Sequence, residues 1–430
     1  MTFDLVTVAA GVLIVCLLIR APVFIAVLAG SGIYFALSGR VSPLIIAQRF
    51  TSGVESVPLL AVPFFVCAGV FMNYSGVTAR LMNFCCALTA WMWGGLAQVN
   101  ILLATLMGGL CGSNIADAAM QAKMLVPEMR KRGMSNPFAT VVTAFASVIT
   151  PLIPPGIGMI LYGATANVSI GRLFVAGITI GLLMAVTMMI LTVIIARMRN
   201  YVPLNRDPSY ERISLWQSFR HAILPLCLPI IIMGGIRMGV FTPTEAGAVA
   251  IVYSIVLGLF YGELRFPQFM EGLKETVVTT AAIMLIVGAA STFAWVLTRE
   301  RVPQELTTWM LDAIGNKYTF LIIVNLFLLA VGMFIEGNAA TIVLVPLLAP
   351  IARAFGIDDI QFAFVFIFNM AIGAITPPMG VLMFVTCGIT GCKIRDFLIE
   401  AWPYFIQMLI CLALITFVPQ VSTWLVGVVY

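Results

Sequence analysis

Ile153-Pro154-Pro155-Gly156-Ile157-Gly158 and Thr376-Pro377-Pro378-Met379-Gly380 are two proline-broken segments, each inside a long apolar stretch. Each follows a polar break at nearly constant spacing: Gly112-Ser113-Asn114 lies 40 residues before Pro154, and Glu336-Gly337-Asn338 lies 39 before Pro377. Proline lacks a backbone donor and clashes with the preceding turn, so each pair interrupts a helix. Hydrocarbon cannot satisfy the freed backbone groups, so such breaks survive only inside protein or beside a polar cavity. Broken segments in corresponding halves of a chain point to the binding site of a secondary transporter.

Working outward, the 430 residues are 61% hydrophobic and 10% charged, with a mean hydropathy of +1.08. Soluble domains carry about 25% charged residues, so this chain uses lipid as its solvent. Apolar runs occur at 3–19, 22–37, 58–72, 138–162 and 173–196, then at 223–238, 246–260, 277–296, 361–386 and 401–417. The first run lacks a basic lead-in and a small-residue cleavage site, so it reads as a transmembrane helix rather than a signal peptide. Residues 83–93 read as an interfacial helix, with Trp91 and Trp93 at headgroup level.

Between the third and fourth runs, two half-length arms flank Cys111-Gly112-Ser113-Asn114, the pattern of a re-entrant hairpin over about 99–126. A second falls at about 320–351, turning at Ile335-Glu336-Gly337-Asn338. The expected fold is therefore an all-α polytopic membrane protein of two inverted-topology repeats, each with a re-entrant helical hairpin and a Pro-Pro-broken helix. The first repeat covers 1–196 (broken helix about 138–162), a cytoplasmic linker 197–220, and the second repeat 221–430 (broken helix about 361–386). Placing the N-terminus outside puts fifteen lysines and arginines inside and eight outside. The positive-inside rule then predicts that both termini face the periplasm, and the first half carries most of that excess.

Half-helix C-termini offer carbonyls and N-termini offer N–H groups. Carbonyls with Ser, Thr or Asn oxygens suit a small hard cation, and free N–H groups suit an anion. Ser113 and Asn114 are expected to face the 154–158 break, and Asn338 and Thr341 the 376–380 break, giving two Na⁺ sites beside one anion site. Asp117 and Glu336 fall at membrane depth, where a charge costs at least ~2.5–3.5 kcal/mol. Each reads as a cation ligand, a proton carrier or an orienting group, with helix capping the alternative for Asp117. Arg299, ending the eighth crossing, is a further possible grip on a carboxylate or sulfonate, with snorkelling to headgroups as the alternative.

Other chemistries find little support. A single histidine, His221, makes neither a zinc site nor a Ser/His/Asp triad. The nine cysteines read as small buried apolar residues. Asp358-Asp359 is a short loop rather than a divalent-metal cluster, so no enzyme is expected. Basic residues are scattered, which argues against nucleic acid.

At the segments Ser56–Val77, Gly112–Asp117, Ile153–Ile170, Phe241–Ala250, Gly332–Ile351 and Ile375–Gly380 the chain resembles the large membrane subunit of TRAP (tripartite ATP-independent periplasmic) transporters. The resemblance implies an elevator mechanism in the bacterial inner membrane, a small membrane subunit of about four helices on a separate polypeptide, and a periplasmic substrate-binding protein. It implies Na⁺ as coupling ion, no other cofactor, and organic acids such as dicarboxylates, sialic acid or sulfonates as substrates. The family's sodium positions map onto Gly112, Ser113, Asn114, Pro154, Pro155, Gly156, Gly337, Asn338, Thr376, Pro377, Pro378 and Gly380, to which the local chemistry adds Thr341. Substrate contacts are expected at Asn114, Gly156, Arg299, Glu336 and Asn338. Gly156 stands where the family often has serine, and Glu336 where it often has aspartate. The alternative is a stand-alone Na⁺- or H⁺-coupled carboxylate carrier that needs no binding protein.

Overall fold

Apolar runs fold as helices here because, in hydrocarbon, each backbone N–H and C=O finds its partner within its own segment. The computed structural model of the chain describes residues 2–19, 21–39, 41–111, 114–207, 210 and 214–430, with the backbone alone for 2–4, 18 and 109–111. Among the described residues there is no strand.

The first half runs α1 (Thr2–Leu18), α2 (Val23–Ser38), α3 (Leu44–Val54), α4 (Ala61–Tyr74), α5 (Val77–Thr89), α6 (Leu96–Cys111), α7 (Asn114–Lys131), α8 (Asn136–Ala146), α9 (Ile157–Ala166) and α10 (Ile170–Met198). The second runs α11 (Leu215–Arg237), α12 (Pro243–Phe260), α13 (Phe266–Arg299), α14 (Val302–Ala313), α15 (Lys317–Gly332), α16 (Gly337–Ala354), α17 (Asp359–Gly373), α18 (Val381–Thr390), α19 (Ile394–Phe417) and α20 (Gln420–Val429). Seven of these are long and apolar enough to cross a bilayer, and α8 with α9, bent by 40° at the first proline pair, adds an eighth. The other apolar helices, among them α15 and α17, have 10–17 residues, short of the ~20 that a single crossing needs.

The segments around the two breaks match in length. The arms α6 and α15 each have 16 residues, α7 and α16 each have 18, and α9 and α18 each have 10. Both Pro-Pro peptide bonds are cis. Each first arm also touches its own broken helix at a glycine. A Cβ on Gly108 would stand 3.1 Å from Thr150 Cα, and one on Gly373 would stand 2.5 Å from Gly332 Cα. Buried amides bridge the same pairs of helices: Asn100 Nδ2 donates to Thr143 Oγ1 at 2.6 Å, and Asn369 Nδ2 to Asn325 Oδ1 at 2.6 Å.

Other contacts cross between the halves. α16 packs against α9, and α18 packs against α7. Asn136 Nδ2 donates to the Thr390 carbonyl at 3.2 Å, and the Thr140 hydroxyl meets the Thr390 hydroxyl at 3.0 Å. One large apolar core joins these elements. A smaller one gathers α1, α2 and the C-terminal part of α13.

One local reading changes, and two features are new. Residues 83–93 are not a surface helix: α5 ends at Thr89, buries Leu81, Cys85 and Cys86, and packs against α6 and α11. The chain then turns through Gly94 and Gly95, both at positive φ (91° and 40°). Residues 44–54 form a helix, α3, lying along α13. The described start of the linker is anchored: Gly94 N–H donates to the Tyr201 carbonyl at 3.0 Å, and Arg132 pairs with Asp207 at 2.5 Å.

Candidate functional site

The helices that restart after each interruption all begin at one place. A cavity of about 360 Å³ is lined by Asn114, Ile157 and Gly158, Gly337 and Asn338, and Val381, the opening residues of α7, α9, α16 and α18. The end of α15 (Gly332, Met333) and the end of α17 (Met370, Ala371, Ala374) complete it, with Thr279 and Ile283 of α13 on one wall. The volume lies in the usual range for a small-molecule site, about 300–1,000 Å³.

The electrostatics follow from this geometry. The first turns of a helix hold unpaired N–H groups, equivalent to roughly half a positive charge. Four such ends meet here, and no Lys or Arg lines the cavity. Among the lining residues only Glu336 is ionisable. Asn338 Nδ2 donates to Glu336 Oε1 at 3.0 Å, and the Thr341 hydroxyl donates to the Gly337 carbonyl at 2.7 Å. Glu336, with the carbonyl ends of α15 and α17 beside it, offers hard oxygen ligands of the kind Na⁺ takes.

The predicted residues divide. Asn114, Glu336, Gly337, Asn338 and Thr341 come together at the cavity. Asn338 lines the same cavity as Ala374 and Val381, which flank the second break, and it also approaches the first. Its Oδ1 lies 4.0 Å from where a Cβ on Gly158 would stand, because α16 packs on α9 of the other half. Thr376, Pro377, Pro378 and Gly380 lie outside the lining, and Thr376 spends its hydroxyl on the Ile372 carbonyl at 2.7 Å. Pro155 and Gly156 are buried next to the cavity. A Cβ on Gly156 would stand 2.7 Å from the Pro151 carbonyl oxygen, so the glycine fits a tight turn that serine would crowd. Pro154 opens onto a different groove. Gly112 and Ser113 lie outside the described residues.

Arg299 is not at this site. It lies on α13, 16 residues past Ile283, about 24 Å further along the helix at 1.5 Å per residue, with its guanidinium 5.3 Å from the Trp295 ring. Sequence reasoning missed α13 as a wall, although Thr279 and Thr280 are a polar pair near the start of the 277–296 apolar run.

Asp117 sits behind the cavity, 1% exposed, accepting hydrogen bonds from Thr150 Oγ1 and Gln121 Nε2, both at 2.8 Å. It ties α7 to the turn before the first break, an orienting role. Asp117→Ala should cost about 1–3 kcal/mol by leaving both donors unmet, and Asp117→Asn should recover most of it. Thermal unfolding in detergent measures both.

The family described as "Tripartite ATP-independent periplasmic transporter, DctM component" matches residues 10–421. The chain belongs to this family of TRAP large permeases. The permease is 39% identical to the sialic acid TRAP transporter large permease protein SiaM of Vibrio cholerae, over 87% of each chain. It is 37% identical to the C4-dicarboxylate TRAP transporter large permease protein DctM of Pseudomonas aeruginosa, over 86% of each. The isethionate TRAP transporter permease protein DctMQ of Oleidesulfovibrio alaskensis shares 33% identity over 89% of this chain and 60% of its own length. These relatives are named as transporters, not enzymes. In overall fold the TRAP permease is similar to the YdaH transporter of Alcanivorax borkumensis (TM-score 0.56, 14% identity, 86% of each chain).

Proposed function

We propose that this permease carries out Na⁺-coupled uptake of an organic anion, a carboxylate or a sulfonate, across the bacterial inner membrane. The observation that carries the reading is the meeting of four helix N-termini around one cavity that also holds Glu336. The anion sits on the N–H groups of α7, α9, α16 and α18, with the Asn114 and Asn338 amides as further donors. Sodium sits toward Glu336 and the carbonyl ends of α15 and α17. The relatives named for sialic acid, C4-dicarboxylates and isethionate share an acidic group of this kind.

The matched lengths and paired glycine contacts support two inverted repeats, with hairpins and broken helices moving as an elevator against the other helices. The family name supports a small membrane subunit and a periplasmic binding protein as partners, and the positive-inside count supports termini on the periplasmic side.

In proteoliposomes containing the permease and its small subunit, uptake should require both the loaded binding protein and an inward Na⁺ gradient. Replacing Na⁺ by K⁺ should reduce it to background. Equal uptake of free substrate without the binding protein would favour the stand-alone carrier.

A further inference from the structure

A second cavity, a groove of about 660 Å³, runs between α10, α11 and α20 and reaches the first proline break. Its walls are apolar, including Leu182, Pro225, Pro229 and Met233, and Ile153 and Pro154 also line it. Arg237, the last residue of α11, closes one end.

A second arginine stands beside it. The position a Cβ would take on Gly171 is 3.2 Å from Ile236 Cγ2 and 2.8 Å from the Tyr430 hydroxyl. The next residue, Arg172, places its guanidinium 5.7 Å from the Tyr430 ring. Among the described residues no carboxylate is ion-paired with Arg172 or Arg237. The linker joins α10 and α11 at their other ends, so the two arginines share the opposite face of the membrane layer.

We propose that this groove binds a phospholipid, with its phosphate on Arg172 and Arg237 and its acyl chains against Pro154. Guanidinium groups match phosphate oxygens in geometry and charge. An apolar slot ending in two such groups at helix ends complements an amphiphile with an anionic head. A helix of a partner subunit fits less well. It would bury the ends of two guanidinium groups and would have to bring its own carboxylates to meet them. The lipid touches both the segment bearing the break and the α10–α11 pair, so its occupancy constrains how they sit against each other.

The test uses the full chain in mild detergent, titrated with phosphatidylglycerol, with diacylglycerol and with inorganic phosphate. Thermal unfolding and the mass spectrometry of retained lipid are read together. Phosphatidylglycerol alone should stabilise the protein. Arg172→Gln with Arg237→Gln should weaken that binding about tenfold or more, the loss of one or two charge-assisted contacts. Gly234→Phe should exclude the lipid while keeping the lipid-free unfolding temperature, because a Cβ there meets nothing within 4 Å. Stabilisation by diacylglycerol equal to that by phosphatidylglycerol would overturn the headgroup assignment. An equal response to phosphate would reduce the site to an anion site. Lipid retained in both variants would overturn the proposal. So would protection of a Gly234→Cys thiol from maleimide by the small subunit in lipid-free micelles.

Discussion

Asn338→Ala should erase the Na⁺-specific part of the permease's thermal stability. Wild type, unfolded in NaCl, KCl and choline chloride at equal ionic strength, should be most stable in NaCl. A ligand that binds only the folded state adds RT ln(1 + [L]/Kd), about 2.7 kcal/mol at 100 times Kd. Asn338 is the residue to remove because it stands at the first turn of α16, donates to Glu336 at 3.0 Å, and turns its oxygen toward Gly158 of the other half. Alanine removes the donor that orients Glu336 toward the proposed sodium, together with the oxygen near Gly158. The variant should therefore unfold at one temperature in all three salts. If wild type already behaves alike in the three, sodium does not bind in this cavity, and proton coupling through Glu336 becomes the reading to pursue.

Gly373→Ala should be the most disruptive single methyl in the molecule. The added carbon would stand 2.5 Å from Gly332 Cα and 2.8 Å from its carbonyl oxygen, with the carbonyl carbon between them closer still. All three are backbone atoms, so no side chain can rotate away, and α15 and α17 must separate. Overpacking costs about 1–3 kcal/mol where neighbours can adjust, and more is expected here. Separation also strains the buried Asn369–Asn325 hydrogen bond at 2.6 Å. Gly388→Ala is the control, because a Cβ there meets nothing within 4 Å and alanine favours helix. It should unfold at or above the wild-type temperature, and Gly373→Ala several degrees below it or not fold. Equal temperatures for the two variants would mean that α15 and α17 are not closely apposed.

The breaks are legible in the sequence because proline and the Gly/Asn turns act locally: they interrupt a helix whatever surrounds it. From Pro154-Pro155 and Pro377-Pro378 outward, the all-helical membrane fold and most of its helices follow. Partner choice is not legible. Asn338 is expected at the nearer break, and its approach to Gly158 of the other half is not foreseen, because the packing of α16 on α9 is tertiary and leaves no mark on local spacing. Arg299 draws attention as a charge near a span end, yet its distance from the cavity depends on how far α13 continues. The amphipathic α3 escapes notice because Leu44–Val54 is too short and too polar to register as a crossing. Gly156 and Gly373 are glycines for reasons visible only once the opposing backbone is in place.

The crossing of the halves also sets a timetable for synthesis. Thr140 and Thr390, hydrogen-bonded to each other, are 250 residues apart in the chain. At about 5–20 residues per second, the ribosome takes roughly 12–50 s to cover that interval. Throughout it, the faces of α7 and α8 that will meet α18 have no partner, and the hydroxyl of Thr140 and the amide of Asn136 lie in a nascent bundle open on one side. These polar contacts are thus completed only once α18 has left the ribosome. Early helices are made long before the packing that stabilises them exists, so their polar faces must wait unpaired for the second half of the chain.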